Sequence, residues 1–73
     1  MIKDIVLGLP VITILGNCQV HIENYRNILE ISDCKIRIMT KKGSMTVIGQ
    51  KLQVEYYNED DLVINGYILN VEL

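Results

Sequence analysis

Apolar and polar residues alternate along most of this chain. From Cys18 to Glu23 the set Cys18, Val20 and Ile22 falls on one face and Gln19, His21 and Glu23 on the other. From Cys34 to Thr40 the inward set is Cys34, Ile36 and Ile38, against Lys35, Arg37 and Met39. From Lys51 to Tyr57, Leu52, Val54 and Tyr56 oppose Lys51, Gln53 and Glu55. A period of two belongs to strands with one wet face. Turn signals separate them. Asn24 to Asn27 predicts a hairpin turn with Tyr25 and Arg26 at its tip and Asn27 able to take a positive φ. Ser32-Asp33, Lys41 to Ser44 and Asn58 to Asp61 predict three more. The intervals leave little room for helices, so hairpins should follow one another.

A weak repeat runs through the C-terminal half. GQKLQVEY from Gly49 and GYILNVEL from Gly66 both fit Gly-x-x-Leu-x-Val-Glu-apolar, and TILGNCQV around Gly16 is a looser echo. Glycines inside extended stretches mark bulges or bends, which let one strand serve two parts of a curved sheet. The phase of the last segment agrees: Leu62, Ile64 and Ile68 share one parity, Leu69, Val71 and Leu73 the other. A bulge near Asn65-Gly66 would bring both sets to one core; the alternative is a last strand apolar on both faces because one of them meets a partner.

Composition fixes the class. The 73 residues contain no Ala, Phe or Trp, and Ile, Val and Leu dominate an apolar fraction of 49%. The best helix former is missing, while β-branched residues suit a pleated sheet. The expectation is a single all-β domain over 1–73. It should be a small antiparallel, meander-like sheet curved into a sandwich or partly open barrel, with glycine bends near Gly16, Gly49 and Gly66. So short a sheet keeps edges with unpaired backbone groups, and self-association is a common answer to that.

The formal charge of −2 argues against a protein that holds nucleic acid mainly by its phosphates. The longest apolar run, Ile5 to Gly16, is 12 residues long and contains Pro10, whereas a spanning helix needs about 20. Asp4 and the lack of a small-residue cleavage site make it a poor signal peptide. Two cysteines without an export signal imply reduced thiols in a cytosol.

Candidate chemistry is sparse. Cys18, His21 and Cys34 could in principle hold zinc. On a strand, however, an offset of three sends Cys18 and His21 to opposite faces, so both cysteines read as small core residues and His21 as a surface one. Glu59-Asp60-Asp61 lacks the spacing of a calcium loop and reads as a solvated turn. Lys35, Arg37, Lys41 and Lys42, with Lys51, could form a basic face for single-stranded nucleic acid. That use needs aromatic platforms among the basic residues, and the tyrosines fall elsewhere. No paired carboxylates, Ser-His-Asp order or phosphate-cradling loop is present, so neither an enzyme, nor a cofactor, nor a small-molecule substrate is expected.

Four stretches together resemble the YabP/YqfC family of bacterial sporulation proteins, nearest its YqfC type. LPVITILG is similar to the family's opening Pro-containing strand and VHIENYRNILEIS to its Ile-Glu-Asn turn segment. IRIMTKKGSMTVIGQKLQV is similar to its strand, glycine turn and Ile-Gly-x-x-Leu strand, and DLVINGYILNVEL to its closing strand. The order and spacing of these pieces, from Leu9-Pro10 to the end, carry the resemblance. It departs at Asn27, where the family favours glycine, and in the short segment ahead of Leu9.

The resemblance implies a non-catalytic role in endospore formation, in the mother-cell cytoplasm or peripherally at the forespore membrane. It also implies a YqfD-like membrane protein as partner. With the surplus of apolar strand faces, the expected mode is assembly: a homo-oligomer or adaptor using Val63, Tyr67, Leu69, Val71 and Leu73 on the last strand and Val11, Thr13 and Leu15 on the first. The alternative expectation is a small nucleic-acid-binding barrel using Lys35, Arg37, Lys41 and Lys42.

Overall fold

The structure, a computed structural model, describes residues 9–73; the start of the apolar run, Ile5 to Gly8, lies outside them. Six strands form one antiparallel sheet: β1 (Val11–Leu15), β2 (Gln19–Glu23), β3 (Tyr25–Ile31), β4 (Lys35–Thr40), β5 (Gly43–Tyr57) and β6 (Asp61–Glu72). Their order is β1-β2-β6-β5-β4-β3, and the described residues contain no helix. The chain is all-β as its composition required, and the sheet curves without closing into a barrel. β3 to β6 follow one another as a meander, while the β1–β2 hairpin docks on the far side of β6.

The inward faces follow the alternation. Val20 and Ile22 of β2, Ile36 and Ile38 of β4, Val47 of β5, and Leu62 and Ile64 of β6 are fully buried. Met45, Leu52 and Ile68 complete the cluster, with Ile12, Tyr25, Ile28, Val54 and Val71 packed around it. Each fully buried aliphatic side chain contributes about 1.5–3 kcal/mol relative to exposure. With no Phe or Trp in the chain and no aromatic among the fully buried residues, the core depends on many such increments.

β5 and β6 each serve two parts of the rolled sheet. The first half of β6 lies between β2 and the end of β5, and its second half pairs with the start of β5. The changeover falls at Gly49, Lys51 (φ 54°) and Gly66 (φ 146°). A Cβ on Gly49 would collide with the Tyr67 carbonyl oxygen, and one on Gly66 would lie 2.8 Å from the Lys51 carbonyl oxygen. The turns on either flank extend the ladder. Gly66 N–H donates to Cys18 O (3.2 Å) and Ile68 N–H to Asn17 O (2.6 Å), while Gly49 N–H donates to Cys34 O (3.0 Å) and Leu52 N–H to Asp33 O (2.8 Å). The bends at Gly49 and Gly66 are therefore real. Gly16 (φ 57°) sits instead in the turn of the β1–β2 hairpin.

Four local expectations are corrected. First, Asn24 to Asn27 is not a hairpin turn. Asn24 alone turns the chain, at φ 66°, with its N–H on Asp60 O (2.6 Å) and its side-chain amide on Leu9 O (2.9 Å). Tyr25 and Arg26 already belong to β3, which lies at the opposite edge of the sheet from β1 and pairs with β4. Second, Cys18 and Cys34 are exposed, not core, because both fall in turns before the alternation begins. Third, the phase change in β6 comes after Ile68: Ile48 pairs with Asn70 and Gly49 with Ile68, so the extra residue is Leu69. Leu69 and Leu73 stay 57% and 88% exposed, and only Val71 packs on the core. Fourth, Tyr56 is 53% exposed, since the register break after Val54 turns it to the outer face, opposite Val63.

Candidate interaction surfaces

Local hydrogen bonding explains where the turns place their side chains. Asn58 Oδ1 accepts the N–H groups of Asp60 (2.8 Å) and Asp61 (2.7 Å), an Asx turn that closes the β5–β6 hairpin. The carboxylates of the expected acidic turn thus sit around a self-satisfied tip. Tyr25 donates its hydroxyl to Asn58 O at 2.6 Å. Burial beneath this tip, then Tyr57 and Asp60, push the Tyr25 phenol above its ordinary range. At the β4–β5 turn, Thr40 Oγ1 donates to Gly43 O (2.8 Å) and accepts Lys42 N–H (3.1 Å), which satisfies the one buried polar side chain among the described residues.

The sequence-predicted chemistry is dispersed. His21 stands on the outer face of β2 with Nε2 3.6 Å from Asp61 Oδ1, whereas Cys18 and Cys34 lie in different turns. Among the described residues no three His, Cys, Asp or Glu side chains gather as a metal would need. Of the basic set, Lys35 and Arg37 share the outer face of β4, with Lys41 and Lys42 in the turn beyond. Arg37 is 4.0 Å from Glu30. The β5 residues opposite Lys35 and Arg37 are Ile48 and Thr46, so no aromatic platform lies between basic side chains there.

Two groups of apolar surface residues bear on the expected interaction surface. Val11, Thr13 and Leu15 lie on the outer face of β1, opposite Glu23, His21 and Gln19. Val63 continues that face opposite His21 and is half-buried, while Tyr67, opposite Gln50, is 51% exposed. Thr13, His21 and Val63 thus stand in one row of a mixed outer face, with Tyr67 beyond the Gly66 bend, Leu69 displaced by its bulge and Leu73 at the chain end.

The second group was not singled out from the sequence. Ile14 and Ile31 face the core side, paired with Val20 and Ile36, yet remain 49% and 59% exposed. They belong to the two edge strands, and the rolled sheet does not reach over them. A core-phase isoleucine on a first or last strand was the available signal. Beside β1 this leaves an apolar groove of about 280 Å³, lined among others by Pro10, Ile12, Met45 and Leu73.

Fold and surface together define a small open β-sheet protein with apolar edges. The chain belongs to the YabP family, whose model matches residues 9–73. It is similar to the uncharacterized protein YqfC of Bacillus subtilis (strain 168), at 29% identity over 65 residues that cover 89% of this chain and 70% of that one. No solved structure matches it.

Proposed function

We propose that this protein is a non-enzymatic assembly or adaptor module of endospore formation, acting through its strand edges in the mother-cell cytoplasm. The sporulation assignment rests on the resemblance to the YabP/YqfC family, and family membership supports it. The observation that carries the mode of action is the open sheet: among the described residues both terminal strands have a free side, and each exposes an isoleucine turned toward the core. A free apolar strand edge is a template for another strand. The partners of this reading are a second copy and a YqfD-like membrane protein, met peripherally, since no helix among the described residues is long and apolar enough to cross a membrane.

The test is an in-frame deletion in the source organism with a count of heat-resistant spores. A collapse restored by mother-cell expression of the wild-type gene is expected. A normal count would overturn the sporulation role, and a defect rescued equally well by a variant with both edges blocked would overturn the edge mechanism.

A further inference from the structure

Hydrogen-bond parity fixes which backbone groups face the free side of β1. Asn24 N–H donates to Asp60 O, and Cys18 O accepts from Gly66 N–H. The even-numbered residues of β2 therefore direct their backbone groups toward β6 and the odd-numbered ones toward β1, because successive residues of a strand alternate. Gln19, His21 and Glu23 are matched by Leu15, Thr13 and Val11. The bond from Cys18 N–H to Leu15 O (3.3 Å) agrees. The N–H and C=O groups of Ile12 and Ile14 consequently point away from the sheet.

We propose that this edge is a homotypic interface, on which β1 of a second copy pairs antiparallel about Thr13; this names a partner within, and rests on, the strand-edge reading above. In that register Ile12 meets Ile14 of the second copy, Ile14 meets its Ile12, and Thr13 meets Thr13. It is the register in which every outward backbone group of both residues finds a partner, as shifting the centre to Ile12 sets Ile14 against Pro10, which has no N–H, and shifting it to Ile14 sets Ile12 against Gly16 in the turn. The side chains follow the same two-fold logic. Ile14 of the second copy lies beside Ile12 at the apolar groove with Met45 and Leu73, and the exposed half of Ile14 is covered in return.

Charge selects the same occupant. β1 carries no charged residue, and Val11 faces Leu15 across the axis, so Glu23, beside Val11, meets no acidic counterpart. Edge strands are ordinarily guarded by charge, proline or bulges. β3 has Arg26, Glu30 and two register breaks, whereas β1 is regular through all five residues. An isologous strand pair of this length is at the small end of interfaces, so a weak, concentration-dependent dimer is expected.

The test combines sedimentation over a dilution series, amide exchange by NMR, and two variants. Ile14→Pro removes one outward donor without touching the bonds to β2 and should give a monomer with an intact β1–β2 hairpin. Thr13→Cys, in a Cys18→Ser/Cys34→Ser background, should form an intermolecular disulfide on mild oxidation. The Thr13 pair is of the non-hydrogen-bonded type, with Cα atoms about 4.5 Å apart, while Val11→Cys, facing Leu15, should not. Should Ile14→Pro fail to fold, the cross-link and the exchange pattern decide on their own.

Three outcomes would overturn the proposal: a monomer at every concentration with fast-exchanging Ile12 and Ile14 amides; a monomer in which those amides are protected by the protein's own chain; or a dimer indifferent to Ile14→Pro that does not cross-link at Thr13. A spore defect with a monomeric protein rejects this interface alone, and a dimer without a spore defect rejects the sporulation role alone.

Discussion

Gly49 and Gly43 separate two costs that glycine replacement usually mixes. Gly43 has φ 113° with open space around a notional Cβ, whereas Gly49 has no positive φ but lies against the Tyr67 carbonyl. Gly43→Ala should cost about 1–2 kcal/mol through backbone strain alone. Gly49→Ala forces two backbones apart at the bend and should cost roughly 3 kcal/mol or more. Urea midpoints of the two variants measure the difference, and equal losses would show that the close approach at Gly49 relaxes freely. Tyr25 offers a second test at this scale. Its raised phenol means that the folded state favours the neutral form. The associated stability is fully present below the unfolded value of about 10 and is lost as pH rises through the folded one. Tyr25→Phe should be less stable by about 1 kcal/mol at neutral pH, from the lost bond to Asn58. The gap to wild type should narrow above about pH 10 in paired melting curves. A gap independent of pH would mean that the phenol ionises alike in both states.

Among the elements, β2 and β4 were legible because a burial period of two survives in each: Val20 and Ile22, then Ile36 and Ile38, are fully buried as the alternation requires. β3 was not. Its core-facing residues Tyr25, Ile28 and Ile31 are spaced by three, because the register breaks at Arg26 and Leu29 each insert a residue. A bulge preserves the face while destroying the sequence period. Turn-forming Asn24 and Asn27 then made the segment resemble a loop, and only its pairing with β4, the next strand along the chain, decides otherwise. The same blindness moved the β6 phase change from Gly66 to Leu69. The edge residues Ile14 and Ile31 escaped for a different reason, since exposure on an edge depends on strand order, which alternation does not encode. The β5–β6 hairpin, by contrast, is specified locally. Asn58→Ala removes the acceptor of two backbone amides and should cost about 1–2 kcal/mol, with Asp60 and Asp61 amide exchange accelerating before the core opens. Unchanged exchange there would show that the hairpin is held by its neighbours instead.

For the whole molecule, an open sheet has two ends, and here they are unequal. β1 is regular and uncharged, while β3 is interrupted twice and carries Arg26 and Glu30. One receptive edge gives a closed two-fold dimer, because the interface is used up by its own copy; two receptive edges give a chain that never closes. With β1 paired to a second copy as proposed, the charges on β3 would decide between a dimer and a filament, provided that they, and not the bulges, are the effective guard. Glu30 is already near Arg37 across the strand pair, an exposed contact worth at most about 1 kcal/mol, so removing it leaves the fold largely unharmed. The double variant Arg26→Val/Glu30→Val should then scatter light increasingly with concentration and time, and adding Ile14→Pro should reduce it to discrete dimers joined through β3. If the double variant stays as small as wild type, the two bulges alone are sufficient protection. Limited assembly would then be written into the backbone geometry of β3, with its charges serving only solubility.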